Sequence, residues 1–206
     1  MPKYKNLLEP LAQELYNTIK QSGMPTWKYP AWQSILEIMS FYHQLFDIAE
    51  SRGHKHVLDF GCGFGMSQRV YDLSKWSFKL TLGDTDNSWF NNEKNYFDYV
   101  LEKHNISILR FGNILSEEFK FLSNIIDKFD CVLTVRFPPV SRMQIPPSKF
   151  KEKLAPYCVD NFEYFYLHKS EKALTELNLP NEALRLMRTS SHKQDFSTDN
   201  VLIRMY

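Results

Sequence analysis

The chain has 206 residues, 43% of them apolar, enough for one domain with a substantial core and too apolar for a disordered chain. Its 25 basic and 24 acidic residues leave a formal net charge of +1, which disfavours a protein held to nucleic acid by broad attraction to phosphates. No apolar run approaches the roughly 18 residues of a membrane helix, and Met1-Pro2-Lys3-Tyr4-Lys5-Asn6 holds no signal-like apolar segment. Cys62, Cys131 and Cys158 are sparse, odd in number and far apart, which fits a reducing compartment; a cytoplasmic protein is expected.

Residues 4–21 read as an amphipathic helix, with Tyr4, Leu8, Leu11, Leu15 and Ile19 at three- and four-residue spacing. Pro10 argues against one continuous helix and places the start near Leu8; Ser22-Gly23 ends it. Two prolines then enclose an aromatic segment, Met24 to Trp32, that cannot be regular helix and contains Trp27 and Tyr29. A second helix runs from Trp32 to Ser51, its buried stripe marked by Trp32, Ile35, Leu36, Met39, Tyr42, Phe46 and Ala49, and Gly53 stops it. Residues 1–53 thus form an N-terminal helical cap, and 54–206 one compact unit.

The unit opens on a short apolar strand, Val57 to Phe60, followed by Gly61, Gly63 and Gly65 and a helix from Met66 to about Leu73. A strand, a glycine-rich turn and a helix N-terminus make a nucleotide-sized crevice at the strand's carboxyl end. Helices and strands then alternate. Strands are expected at Phe78 to Gly83, Ile106 to Phe111, Phe129 to Val135, Asn161 to Leu167 and Asn200 to Tyr206, with a weak partner strand over 189–196. Helices are expected over 91–104, Ser116 to Asp127, Ser148 to Cys158, Glu171 to Leu177 and Asn181 to Met187. That alternation predicts an α/β fold, a mostly parallel sheet with helices on both faces and an antiparallel end.

The run Val57-Leu58-Asp59-Phe60-Gly61-Cys62-Gly63-Phe64-Gly65 resembles motif I of the class I S-adenosylmethionine-dependent methyltransferases. It departs from the dinucleotide fingerprint, whose third glycine falls one residue later. The resemblance implies a Rossmann-like sheet of seven strands and S-adenosylmethionine as cofactor, with S-adenosylhomocysteine as product. It implies that Gly61, Cys62, Gly63 and Gly65 border the methionine moiety and that Asp59 anchors the amino group directly or through water. A carboxylate at the end of the next strand can accept both ribose hydroxyls; the family's Gly-Asp pattern selects Asp84 over Asp86. Gly112-Asn113-Ile114 stands where the family commonly has Gly-Asp: Asn113 can accept from the adenine amine, and Ile114 can pack on the ring.

The acceptor side has no motif. Phe137-Pro138-Pro139-Val140 lacks the Asn of the amino-group methyltransferase signature, so this loop reads as a pocket wall with Arg136 as an anion anchor. Trp27, Tyr29 and Tyr42 are the other candidate substrate contacts, and His43 and His168 the candidate bases for removing an acceptor proton. No His/Cys/Asp cluster has metal-ligand spacing, so no metal is expected. Balanced charge and abundant aromatics favour a small-molecule acceptor; an RNA or protein methyltransferase and a catalytically silent binding subunit are the alternatives. The N-terminal helices read equally as a lid or a buttress, and a homodimer contact through them is left open.

Overall fold

A computed structural model describes residues 4–21, 31–85, 107–111, 122, 127–135, 145–168, 181–184 and 201–205; at 107–111, 181–184 and 201–205 only the backbone is considered. Two helices come first, α1 (Lys5–Gln21) and α2 (Trp32–Ser51). Then follow β1 (His56–Phe60), α3 (Met66–Tyr71), β2 (Lys79–Thr85), β3 (Ser107–Phe111) and β4 (Phe129–Thr134). The carboxyl-terminal part holds α4 (Pro147–Leu154), a 3-10 turn (Ala155–Tyr157), β5 (Cys158–His168), β6 (Asn181–Leu184) and β7 (Val201–Met205).

The strands form one seven-stranded sheet in the order β3-β2-β1-β4-β5-β7-β6. Strands β1 to β5 pair in parallel, while β7 runs antiparallel to both β5 and β6. All five residues of β1 are buried, as a central parallel strand covered on both faces requires. Its two neighbours, β2 and β4, lie on opposite sides, so the chain reverses its direction of travel across the sheet at β1. Ligand crevices of open α/β sheets lie at such a switch point, outside the carboxyl ends of the strands.

Side chains alternate between the two faces. Val57, Leu80, Leu82, Cys131, Leu133 and Phe165 join the helices α1 to α3 in one apolar cluster. Leu58, Phe60, Val132, Tyr164 and Tyr166 face the other way, onto Phe150 and Leu154 of α4. Helix α2 is buried over most of its circumference, from Ile35 through His43, because α1 covers the side that the sheet does not. Leu8, Ala12, Leu15 and Ile19 make the α1 side of that contact, each fully buried.

Three expectations change. Helix α1 begins at Lys5 and runs through Pro10. Pro10 and Asn6 are both exposed, so the carbonyl that Pro10 leaves without a donor faces water, where the loss is smallest. The segment from Asn181, expected to be helical, is strand β6 over its first four residues, Asn181–Leu184. Pairing of these residues with β7 outweighs the helix preference of Glu-Ala-Leu. Strand β5 begins at Cys158, three residues earlier than expected, because it contains an irregularity: the register moves from Phe129↔Cys158 to Cys131↔Glu163. Asn161 takes φ 61° there, a left-handed value that Asn tolerates better than most side chains. The expected helices over 91–104 and Glu171 to Leu177 and the strand over 189–196 lie outside the described residues.

Candidate cofactor site

At the carboxyl end of β1 the backbone turns through three left-handed glycines, Gly61 (φ 85°), Gly63 (φ 55°) and Gly65 (φ 68°). Side chains at these positions would strain the backbone. The turn is tied to the neighbouring strand: the Gly61 and Cys62 N–H groups both donate to the Gly83 carbonyl, at 2.6 and 3.1 Å. The Gly65 N–H closes it on the Cys62 carbonyl at 3.0 Å, and Gly65 caps α3. A Cβ built on Gly63 meets nothing within 4 Å, so the turn borders open space at Gly63.

Asp84 stands beside that space. Its Oδ2 accepts the Gly63 N–H, which fixes the carboxylate against the turn. Glycine backbone open to approach, with an acceptor at the end of the adjacent strand, fits the ribose and amino-acid ends of S-adenosylmethionine.

Asp59 is placed differently. It lies on the face of β1 that meets α2 and α3, and it is 0% exposed. The Tyr42 hydroxyl of α2 donates to its Oδ1 at 3.1 Å, and the Ser67 hydroxyl of α3 donates to its Oδ2. Burial pushes its carboxyl up to about 7; the Ser67 and Tyr42 hydrogen bonds pull the other way, and the charge of Asp84 adds to the rise. Asp59 therefore ties the end of β1 to α2 and α3. Cys62 is also turned inward, 4% exposed, and burial followed by the charges of Asp84 and Asp59 raises its thiol well above the usual range.

Of the candidate substrate contacts, Tyr42 is 2% exposed and its hydroxyl donates to Asp59. Trp27, Tyr29 and Arg136 lie outside the described residues, as do Asn113 and Ile114. His43 is 5% exposed. Its ring stacks on Tyr4 with centroids 3.5 Å apart, meets Trp76 edge-on, and places Nδ1 3.3 Å from Asp47. That packing makes His43 part of the contact between α1, α2 and the segment before β2. His168 ends β5, and its side chain lies outside the described residues. Ser67 was missed by the sequence reading, although its place two residues after Gly65, in the first turn of the helix, is a usable signal.

The opposite edge of the sheet carries a second polar cluster. Arg52 donates to Glu163 at 2.6 Å, and His54 lies between Glu163 (3.1 Å) and Asp130 (3.5 Å). Asp130 accepts the backbone N–H groups of Lys55 and His56 at 2.6 and 3.1 Å. His56 Nδ1 lies 3.1 Å from the Asp127 carbonyl, which can only accept, so Nε2 accepts from the Thr81 hydroxyl at 2.8 Å. Burial, then the Lys79 charge, lowers the His56 imidazole below its usual range, against the pull of Asp127 and Asp130.

The sequence matches no family model. No curated protein matches it either. Solved structures do. An O-methyltransferase from Bacillus cereus in complex with SAH superposes with TM-score 0.60 at 10% identity, covering 94% of this chain and 89% of that one. A chain from Klebsiella pneumoniae, provisionally assigned as an O-methyltransferase, gives 0.59 at 12% identity over 95% and 89%. A methyltransferase from Pyrococcus furiosus gives 0.52 at 13% over 80% and 81%. Among the described residues no helix is long and apolar enough to cross a membrane. Strand order, glycine turn and these likenesses agree: the chain has the Rossmann-like fold of the class I S-adenosylmethionine-dependent methyltransferases.

Proposed function

We propose that this protein is an S-adenosylmethionine-dependent methyltransferase acting on a small-molecule acceptor. The observation that carries the reading is Asp84: its carboxylate closes on the Gly63 N–H in a turn that borders open space at Gly63. When bound there, S-adenosylmethionine supplies a methyl group on a sulfonium, whose leaving group needs no protonation. The protein's own work is then positional. Gly63 lets the ligand lie against backbone, Asp84 accepts its ribose hydroxyls, and the Gly61 and Cys62 contacts with Gly83 keep the turn from moving as it binds. Asn113 and Ile114 would hold adenine, and Arg136 with Trp27 and Tyr29 would face the acceptor in an in-line transfer. The balanced charge of the chain supports a small acceptor over RNA.

Calorimetric titration of the purified protein with S-adenosylhomocysteine tests this directly. Saturable binding in the micromolar range supports the enzyme. Absence of binding of both S-adenosylhomocysteine and S-adenosylmethionine at high micromolar concentration leaves a silent methyltransferase fold that serves as a binding subunit.

A further inference from the structure

Among the described hydrogen bonds, the Tyr42 hydroxyl of α2 donates to Asp59 Oδ1 at 3.1 Å, at the end of β1 just before the glycine turn. We propose that Tyr42 is a positioning residue of the cofactor site: through Asp59 it links α2 to the turn and couples cofactor binding to the release of a proton. The proposal rests on the cofactor reading given above.

The geometry supplies the coupling. Asp59 is fully buried, and each of its oxygens accepts from one neutral hydroxyl, Tyr42 from α2 and Ser67 from α3. No basic side chain joins them among the described residues. Arg69, the cation of α3, has its Nη1 3.4 Å from Glu14 of α1, and His43, next to Tyr42, turns to Asp47 and Tyr4. From β2 comes the like charge of Asp84, and from the turn the buried thiol of Cys62; Leu133, the register partner on β4, brings no charge. Asp59 is thus a carboxyl whose ionised form depends on two hydroxyl donors and is opposed by burial and by Asp84, so that it titrates at about 7.

A cationic ligand in the open space at Gly63 would lie near Asp84, which accepts the Gly63 N–H. It offsets the repulsion between the two carboxylates and so favours the ionised form of Asp59. Binding therefore releases a proton in the range where Asp59 is partly protonated, and affinity rises with pH through that range. The Tyr42 hydroxyl stabilises the ionised form alone among the groups contributed by α2. Its removal raises the pH at which the site becomes competent, while the ring that packs beside Phe46 is kept in Tyr42→Phe.

The experiment measures S-adenosylmethionine affinity by calorimetry from pH 5.5 to 8.5 for the unaltered protein, Tyr42→Phe, Asp59→Asn and the double variant. In parallel, the Asp59 carboxyl carbon is titrated by NMR in the ligand-free protein. In Tyr42→Phe the carboxyl midpoint and the affinity midpoint both move up by roughly one pH unit, the size expected for one hydrogen bond to a charged group. In the Asp59→Asn background the dependence on pH flattens and Tyr42→Phe changes affinity little. An affinity midpoint that stays where it was, or an equal loss of affinity from Tyr42→Phe in both backgrounds, overturns the coupling and leaves Tyr42 a packing residue. Absence of cofactor binding at every pH overturns the proposed function and the coupling together; binding with an unmoved midpoint overturns the coupling alone.

Discussion

At the amino edge of the parallel sheet carboxylates meet nitrogen donors; at the carboxyl edge Asp59 meets two hydroxyls and another carboxylate. Glu163 and Asp130 take Arg52, His54 and the backbone N–H groups of Lys55 and His56. Among the described residues, Glu163 and Asp130 each meet partners from other elements, so the cluster pins the entry of β1 to β4 and β5. Across the sheet, Asp59 at the end of β1 has two hydroxyl partners among the described residues, and Asp84 adds its charge. The first arrangement serves cohesion. The second keeps negative charge near an opening, which costs stability unless a cation arrives. A site poised for a cationic nucleoside has that character, and a purely structural strand end does not need it.

Several substitutions would break or sharpen this contrast. Asp84→Ala is expected to have the largest effect on binding, a loss of roughly 10- to 100-fold in S-adenosylhomocysteine affinity, the range for hydrogen bonds to a charged group. The circular dichroism spectrum should be unchanged, which a calorimetric and spectroscopic comparison would check. Asp130→Ala should do the reverse. It leaves the Lys55 and His56 N–H groups without their acceptor and should lower unfolding free energy by about 2 kcal/mol in urea, with affinity unaltered. Gly63→Ala places a methyl group in the open space beside the turn at a left-handed φ of 55°. It should cost about 1 kcal/mol of stability through backbone strain and weaken the cofactor by more than that strain alone. Equal effects of Gly63→Ala on stability and binding would show that the open side holds no ligand.

The smallest effect is one of sign. His56, at the amino edge, has an imidazole lowered by burial, so the folded protein binds fewer protons than the unfolded chain just below the usual histidine value. Its contribution to stability is present above that value and is lost as pH falls through the lowered one. Asp59 is raised to about 7, so it holds its proton longer in the fold than in the unfolded chain. Its contribution is present below the usual carboxyl range and is lost as pH rises through about 7. Denaturation midpoints measured from pH 4 to 8.5 should therefore lose their acid-side slope in His56→Gln and their neutral-side slope in Asp59→Asn.

Much of this layout is legible in the sequence, and the exceptions have a common cause. Helix α2 falls on Trp32–Ser51 as its apolar spacing predicts, and β1, the glycine turn and Asp84 follow from local chemistry. What sequence cannot show is which neighbour a side chain meets. Tyr42 and His43 are adjacent and aromatic, and both read as candidates for the crevice. The helix turns one to Asp59 and the other to Tyr4 and Trp76. Asp59 reads as a ligand group from its position two residues before Gly61; the two hydroxyls that also meet it come from two different helices, which no local pattern shows. Strand β6 fails for the same reason: Asn181–Leu184 is helix-prone alone and becomes a strand only beside β7.

The central claim is that the open side of the glycine turn and Asp84 together bind S-adenosylmethionine. Paired calorimetric titrations of the unaltered protein and of Asp84→Ala with S-adenosylhomocysteine at pH 7.5 test it most directly. One site in the micromolar range, weakened at least tenfold in a variant that remains folded, is the predicted result. Unchanged affinity in Asp84→Ala, or no heat of binding to the unaltered protein at high micromolar ligand, would contradict it.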